Sequence, residues 1–266
     1  MLRARQLRAL AVRAVLALIA SSILLLTAAG RGWLPRSLIA SELRAAQSVL
    51  WVIAHPDDES FFFAPTFLSL LGGRYVTQGA LLCLSVGDFD GAGHLRRVEL
   101  KRSCAELGIS GERCEVVDVP DLPDDPAVWW DLKAVETQVR QAVARWETDA
   151  IITFDRHGVS GHGNHRAVGA ALQTISQSDP EFPPTFAVRS TFVAFKFTSF
   201  LLLPVVLAKH AAYGAGQRSA SLFVNSWRQY GRARASFDAH ASQARWFRSL
   251  FVTFSRYLWF VEVERV

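Results

Sequence analysis

From residue 48 onward, apolar runs of strand length alternate with segments whose apolar residues recur at helical spacing, a pattern that predicts strand–helix–strand units around a mostly parallel sheet. Residues 49–54 read as the first strand, and a helix is expected from Phe61 to Leu71, ended by Gly72 and Gly73. A second strand falls within 76–86. A loop dense in glycine and acid follows at 87–93, then a helix from about 95 to 107 that Gly108 stops, and a short third strand at 115–119. Proline and aspartate crowd 120–126, helical spacing returns over 129–146, and 150–154 is a fourth strand ending in Asp155. The glycine-punctuated stretch 156–165 then enters a helix that runs through Ile175. The expected fold is Rossmann-like α/β, a mostly parallel sheet with helices on both faces.

Beyond Pro184 the pattern is less regular. Residues 186–197 alternate like a strand, whereas 197–208 are almost wholly apolar and broken by Pro204, which fits a hydrophobic flap or interfacial helix in a membrane-proximal segment near 192–209. A final helix is expected over 239–260, with Arg245, Arg248 and Arg256 set among aromatic residues. That mixture suits either the headgroup level of a bilayer or packing on the domain.

At the amino end Arg3, Arg5, Arg8 and Arg13 precede an uncharged apolar run, 14–30, closed by Arg31. As a helix the run rises roughly 25 Å against a bilayer core of about 30 Å. A transmembrane helix is the expectation, so that 1–47 form an anchor and linker and 48–266 the catalytic domain. Ala28-Ala29-Gly30 also resembles a signal-peptide cleavage site, but the apolar run is long for one. Arg31, Arg36 and Arg44 follow the run, so the arginine balance leans only slightly toward a cytosolic amino end.

A chain of 266 residues that is 50% hydrophobic suits one catalytic domain with an extra segment. The net charge of +5 comes mostly from arginines that are spread along the chain and densest at its two ends. No compact basic helix with interleaved aromatics appears, which argues against a nucleic-acid partner. Cys83, Cys104 and Cys114 lack C-x-x-C spacing and are odd in number, so neither a disulfide framework nor a thiolate metal site is expected, and a reducing compartment follows.

The chemistry concentrates at two strand ends. The first strand runs into His55, Pro56, Asp57, Asp58 and Glu59, and adjacent acids with no base among them call for a cation. The loop after the fourth strand supplies His162 and His165. In an open α/β sheet such loops gather at the carboxyl edge, where both sets can converge on one ion. A mixed nitrogen and oxygen set favours zinc over magnesium or calcium, and three protein ligands leave an open position, as in a catalytic site.

Ala54-His55-Pro56-Asp57-Asp58-Glu59 joined to Gly158-Val159-Ser160-Gly161-His162-Gly163-Asn164-His165 resembles the zinc-dependent de-N-acetylases of the LmbE-like superfamily, and within it the N-acetylglucosaminyl-phosphatidylinositol de-N-acetylase branch. The resemblance extends from about Leu50 to Tyr257 and includes Asp121 through Pro126 and Phe254-Ser255-Arg256-Tyr257. It implies that His55, Asp58 and His165 hold a Zn2+ or another divalent metal, that Asp57 is the general base, and that His162 stabilises the oxyanion and protonates the leaving amine. Arg96 resembles a substrate-contacting arginine able to hold the phosphate between inositol and lipid. Asn164 stands where many superfamily members carry Asp; the branch acting on the lipid-linked sugar is similar in having Asn. The implied reaction removes acetate from N-acetylglucosaminyl-phosphatidylinositol, the second step of GPI anchor biosynthesis, at the cytosolic face of the endoplasmic reticulum membrane. The alternatives are deacetylation of a soluble GlcNAc conjugate, or an inactive lipid-binding subunit.

Simpler readings accompany each motif. Three acids after a strand are more often a solvated turn, and His162 and His165 by themselves would be surface residues; their joint occurrence at two strand ends reverses both judgements. Arg96 is as well placed for an ion pair with Glu99 as for substrate. Asp155 either buttresses its loop or holds a ligand. Asp88 and Asp90 read as a solvated loop, His94, His210 and His240 as surface or packing residues, and Glu59 as support.

Overall fold

A computed structural model describes residues 2–72, 75, 78–213 and 220–266. The expected glycine stop at Gly73 and the start of the second strand at Val76 lie outside the described residues. Seven strands form one sheet: β1 (Ser48–Ile53), β2 (Gln78–Cys83), β3 (Cys114–Val116), β4 (Ala150–Phe154), β5 (Thr185–Val188), β6 (Ala220–Val224) and β7 (Phe260–Arg265). Their order is β3-β2-β1-β4-β5-β7-β6. The first five are parallel, and β7 runs antiparallel to both β5 and β6. β1 is central and buried throughout, Trp51 pairing with Leu81 on one side and Ile152 on the other, as a near-continuous apolar strand requires. The chain winds outward from β1 to β2 and β3, then restarts at β4 on the opposite side. The carboxyl ends of β1 and β4 therefore flank the switch-point crevice where open sheets bind ligands.

The helices, in chain order, are α1 (Leu2–Gly30), α2 (Ser41–Ala45), α3 (Ala64–Leu70), α4 (Gly93–Leu107), α5 (Leu132–Arg145), α6 (Gly158–Gly161), α7 (Gly163–Ser178), α8 (Val193–Lys196), α9 (Leu203–Tyr213), α10 (Trp227–Asp238) and α11 (Trp246–Phe254). The stop at Gly108 is as expected: φ is +94° there, a conformation open to glycine. Residues 5–17 of α1 are exposed, whereas Ser22 and Leu26 are buried, Leu26 in an apolar cluster with Leu203, Val206 and Leu222. The length and composition of Arg5–Gly30 suffice to cross a membrane.

Four expectations need correction. The helix expected over 239–260 is broken: after α11, Ser255 caps a tight turn at Arg256–Leu258, and Phe260, Val261 and Val263 enter the sheet as the buried strand β7. That apolar run gains more by filling the gap between β5 and β6 than by extending a helix. The strand expected over 186–197 ends at Val188, and 193–196 form the single turn α8. The apolar stretch 197–208 leads into α9, where Pro204 lies in the first turn and its missing N–H breaks no bond. Cys104 and Cys114 are joined by a disulfide, Cα atoms 6.4 Å apart, because the last turns of α4 and the start of β3 bring residues ten apart together. The thiols therefore no longer argue for a reducing compartment; Cys83 is free and buried.

Candidate active site

Where β1 ends, the chain turns on its own acids. Asp58 Oδ2 accepts the backbone N–H groups of His55 (2.9 Å) and Ala54 (3.2 Å), and the Asp57 carbonyl accepts those of Ser60 and Phe61, both at 3.1 Å. A turn this tight forces Asp57 to φ +120°, a region costly for a side-chain-bearing residue. Glu59 steadies it, its Oε2 accepting the Asp57 N–H at 3.0 Å. Five residues of wide helical turn, Glu59–Phe63, then lead into α3, all of them buried.

The loop after β4 is held as firmly. Asp155 accepts the N–H groups of His157 (3.0 Å), Gly158 (2.9 Å) and Ser190 (2.7 Å) and the Ser190 hydroxyl (2.6 Å), so it buttresses the loop. Gly158 has φ +65°, and a Cβ there would lie 2.7 Å from that of His165, so glycine is required on both counts. His162 caps α7, its Nδ1 accepting the Asn164 N–H at 3.3 Å. His165 follows one turn into the helix.

His55, Asp58 and His165 converge. His165 Nε2 lies 3.1 Å from Asp58 Oδ1 and 3.3 Å from His55 Nδ1, and His55 Nδ1 lies 3.9 Å from Asp58 Oδ2. Ligand atoms about 2.0–2.1 Å from a tetrahedral ion stand roughly 3.4 Å from one another, so this spacing suits a divalent metal. The far side of each ring agrees. His165 Nδ1 donates to the Gly158 carbonyl (3.1 Å), and His55 Nε2 meets Asp124 Oδ1 (3.1 Å), which leaves His165 Nε2 and His55 Nδ1 as lone pairs facing one another. His162 has a ring nitrogen within 4.8 Å of those of His55 and His165. Phe154 stacks on His165 with centroids 4.3 Å apart and fixes its plane.

These groups line a cleft of about 390 Å³ together with Asp57, Phe61, Phe62, Phe89, Asp90, Arg96, Asp124, Phe247, Arg248 and Phe251. Burial raises the Asp57 pKa, against the opposing pull of Arg248, whose Nη1 is 2.5 Å from Oδ2, and of Arg96 at 3.6 Å. Burial acts in the same direction on Asp58, but His165 and His55 prevail and hold it ionised, well below the usual carboxylate range. Burial and the neighbouring imidazoles push His162 down to about 4, so it is neutral at pH 7. With Nδ1 accepting from Asn164, the neutral ring carries its proton on Nε2, a hydrogen-bond donor beside a buried carboxylate base. The arrangement can activate water, stabilise a developing oxyanion and supply a proton.

All six expected site residues reach this cleft. Arg96 is buried, with Nη1 donating to the Gly87 carbonyl (2.9 Å) and Nη2 to the Pro56 carbonyl (2.7 Å), and it lies 3.5 Å from Asp124. Glu99 instead binds Ser242, through the N–H at 2.7 Å and the hydroxyl at 2.6 Å. A role for Asp124, the reach of Arg248 to Asp57 and the pairing of Glu59 with His240 were not expected from sequence; Asp124 lies in the quoted 121–126 segment, and Arg248 was named only among the arginines of the last expected helix. His240 is wholly buried, the packing alternative of the two expected for it. Asp88 closes its own loop, accepting the Gly93 N–H at 2.6 Å.

Residues 50–176 match the family described as GlcNAc-PI de-N-acetylase. The N-acetylglucosaminyl-phosphatidylinositol de-N-acetylase of Bos taurus is 38% identical over 214 residues, covering 79% of either chain. The probable enzyme of that name from Schizosaccharomyces pombe is 34% identical over 220 residues, 82% of this chain and 86% of its own. The zinc-inhibited form of teicoplanin deacetylase Orf2 shares the fold, with a TM-score of 0.55 at 12% identity over 82% of this chain and 98% of its own.

Proposed function

Because the chain belongs to the family of GlcNAc-PI de-N-acetylases, we propose that it hydrolyses the acetamide of N-acetylglucosaminyl-phosphatidylinositol, giving glucosaminyl-phosphatidylinositol and acetate, the second step of GPI anchor biosynthesis. The observation that carries this reading is the convergence of His55, Asp58 and His165 beside Asp57 and His162 in one cleft. His55, Asp58 and His165 would hold a divalent metal, zinc by the chemistry of the donor set. Such an ion polarises the amide carbonyl and lowers the pKa of water at the site.

The protein's own groups do the rest. Asp57, a stronger base for its burial, takes a proton from the attacking water, and the C–N bond breaks as the amine nitrogen gains a proton. His162 Nε2–H donates a hydrogen bond to the developing oxyanion, and the proton that Asp57 took from water passes to that nitrogen. Arg96 lines the cleft, but its guanidinium is held by the Gly87 and Pro56 carbonyls and lies against Asp57 and Asp124. Arg248 is the more accessible cation, its side chain 24% exposed against 10%, and meets the phosphodiester. α1 and the lipid substrate make the chain membrane-associated. Assignment to the endoplasmic reticulum and to its cytosolic face rests on kinship alone, now that Cys104 and Cys114 are joined.

The test is acetate release from bilayer-embedded N-acetylglucosaminyl-phosphatidylinositol by wild type and Asp57→Asn. Loss of turnover by about 10²–10⁴-fold in the variant, with metal content retained, is expected. Turnover confined to water-soluble GlcNAc conjugates, or an unaffected variant, defeats the reading.

A further inference from the structure

Between residues 182 and 261 the chain carries ten Lys and Arg against a single acid, Asp238; Arg189, Lys209 and Arg256 meet Glu262 just beyond it and Arg248 meets Asp57, and the remaining six lie in a stretch that is basic while the rest of the chain is net negative. The same stretch holds the largest exposed apolar side chains near the cleft. Trp246, Leu250 and Phe254 recur at i, i+4 and i+8 along α11 and are 76%, 49% and 50% exposed. The opposite side of α11 belongs to the site: Phe251 packs on Phe61 at 4.8 Å between centroids, and Arg248 reaches Asp57. Beside it, Phe192, Val193 and Phe195 are exposed on and around α8. The segment after α8 is tied to α11 through the Ser199 N–H on the Phe254 carbonyl (2.7 Å) and the contact of Phe197 with Phe251 (5.5 Å).

This surface is continuous with α1. The Ser22 hydroxyl contacts the Leu201 carbonyl at 3.3 Å, and Leu26 packs in the cluster of Leu203 and Val206. Residues 5–17 of α1 stand clear of the domain, so the boundary between free helix and packed helix lies at the level of Leu201. The apolar run 14–30 overlaps that packed part, so a bilayer that takes up α1 holds the region around Leu201 against the membrane.

We propose that the outer face of α11 and the α8 turn form an interfacial element that inserts into the headgroup and upper acyl region of an anionic leaflet, so that the cleft opens onto the membrane. Aromatic and leucine side chains on one face, arginines nearby and no acid in α11 are the composition of such helices. The lipid-linked substrate then reaches Asp57 with its acyl chains still in the bilayer, a consequence that rests on the function proposed above.

The test uses the full chain in phosphatidylcholine vesicles with and without phosphatidylserine. Emission attributable to Trp246, obtained by difference from Trp246→Phe, is expected to be quenched by lipids nitroxide-labelled near the headgroup, more so with phosphatidylserine. Combined Trp246→Ser, Leu250→Ser and Phe254→Ser is expected to raise KM for bilayer-embedded substrate roughly tenfold or more, while turnover of water-soluble GlcNAc-inositol phosphate is unchanged. Absence of quenching, or equal loss on both substrates, overturns the proposal. If wild type turns over neither substrate, the functional reading fails, and the quenching still decides whether α11 meets lipid.

Discussion

Glu59 Oε1 lies 2.5 Å from His240 Nε2, and neither side chain is exposed to solvent. Burial alone would depress the His240 pKa, but Glu59 raises it, so the pair is an ion pair that also receives the Ser103 hydroxyl at 2.5 Å. Because Glu59 Oε2 holds the Asp57 N–H, a residue 181 positions away steadies the strained backbone of the proposed base.

Replacing His240 by Ala leaves Glu59 buried without its cationic partner. The expected costs are roughly 3–5 kcal/mol of stability and a fall in kcat of about 10–100-fold, with His240→Gln retaining part of both. Denaturant melts and steady-state kinetics on the same preparations check the pair of effects.

Arg248→Ala is expected to raise KM for the phosphodiester-bearing lipid about 10–100-fold and to spare a GlcNAc-inositol that lacks phosphate. It also shifts the pH profile. The Arg248 cation favours ionised Asp57, so its removal raises the Asp57 pKa further, and the acidic limb of kcat/KM moves to higher pH. A limb that stays put or moves to lower pH would disprove the coupling.

Chelation is expected to abolish turnover, and added Zn2+ to restore it. Because only the folded chain brings His55, Asp58 and His165 together, the ion also stabilises the fold, by about 2.7 kcal/mol at a free concentration a hundred times Kd. Thermal melts with and without metal read this independently of activity, and Asp58→Ala is expected to remove the difference.

Far from the cleft, Glu262 opposes burial with a hydrogen bond from His210 and the charges of Arg256 and Lys209, and its pKa falls to about 2. A carboxylate with a depressed folded-state pKa stabilises the protein above its unfolded value of 4.5 and loses that contribution as pH falls toward 2. The contribution is roughly 3 kcal/mol. Glu262→Gln is therefore expected to lower stability at pH 7 and to flatten its fall between pH 4.5 and 2, as urea titrations at several pH values would show.

Much was legible in the chain itself. The strands β1 and β4 announce themselves as uninterrupted apolar runs, and the proposed ligands lie in the segment that follows each, since a parallel sheet delivers side chains from strand ends and local order fixes which end. His55, Asp57, Asp58, His162 and His165 were therefore readable as residues of one cleft before any coordinates. Tertiary structure alone decided what surrounds them. Asp124 behind His55, Arg248 on Asp57 and His240 on Glu59 come from distant segments with no periodicity to mark them, and the Cys104–Cys114 bridge depends on how α4 turns into β3. The residues 260–265 became a strand for the same reason: local preference left a helix open, and the unfilled position between β5 and β6 settled it through long-range pairing that no window of sequence contains.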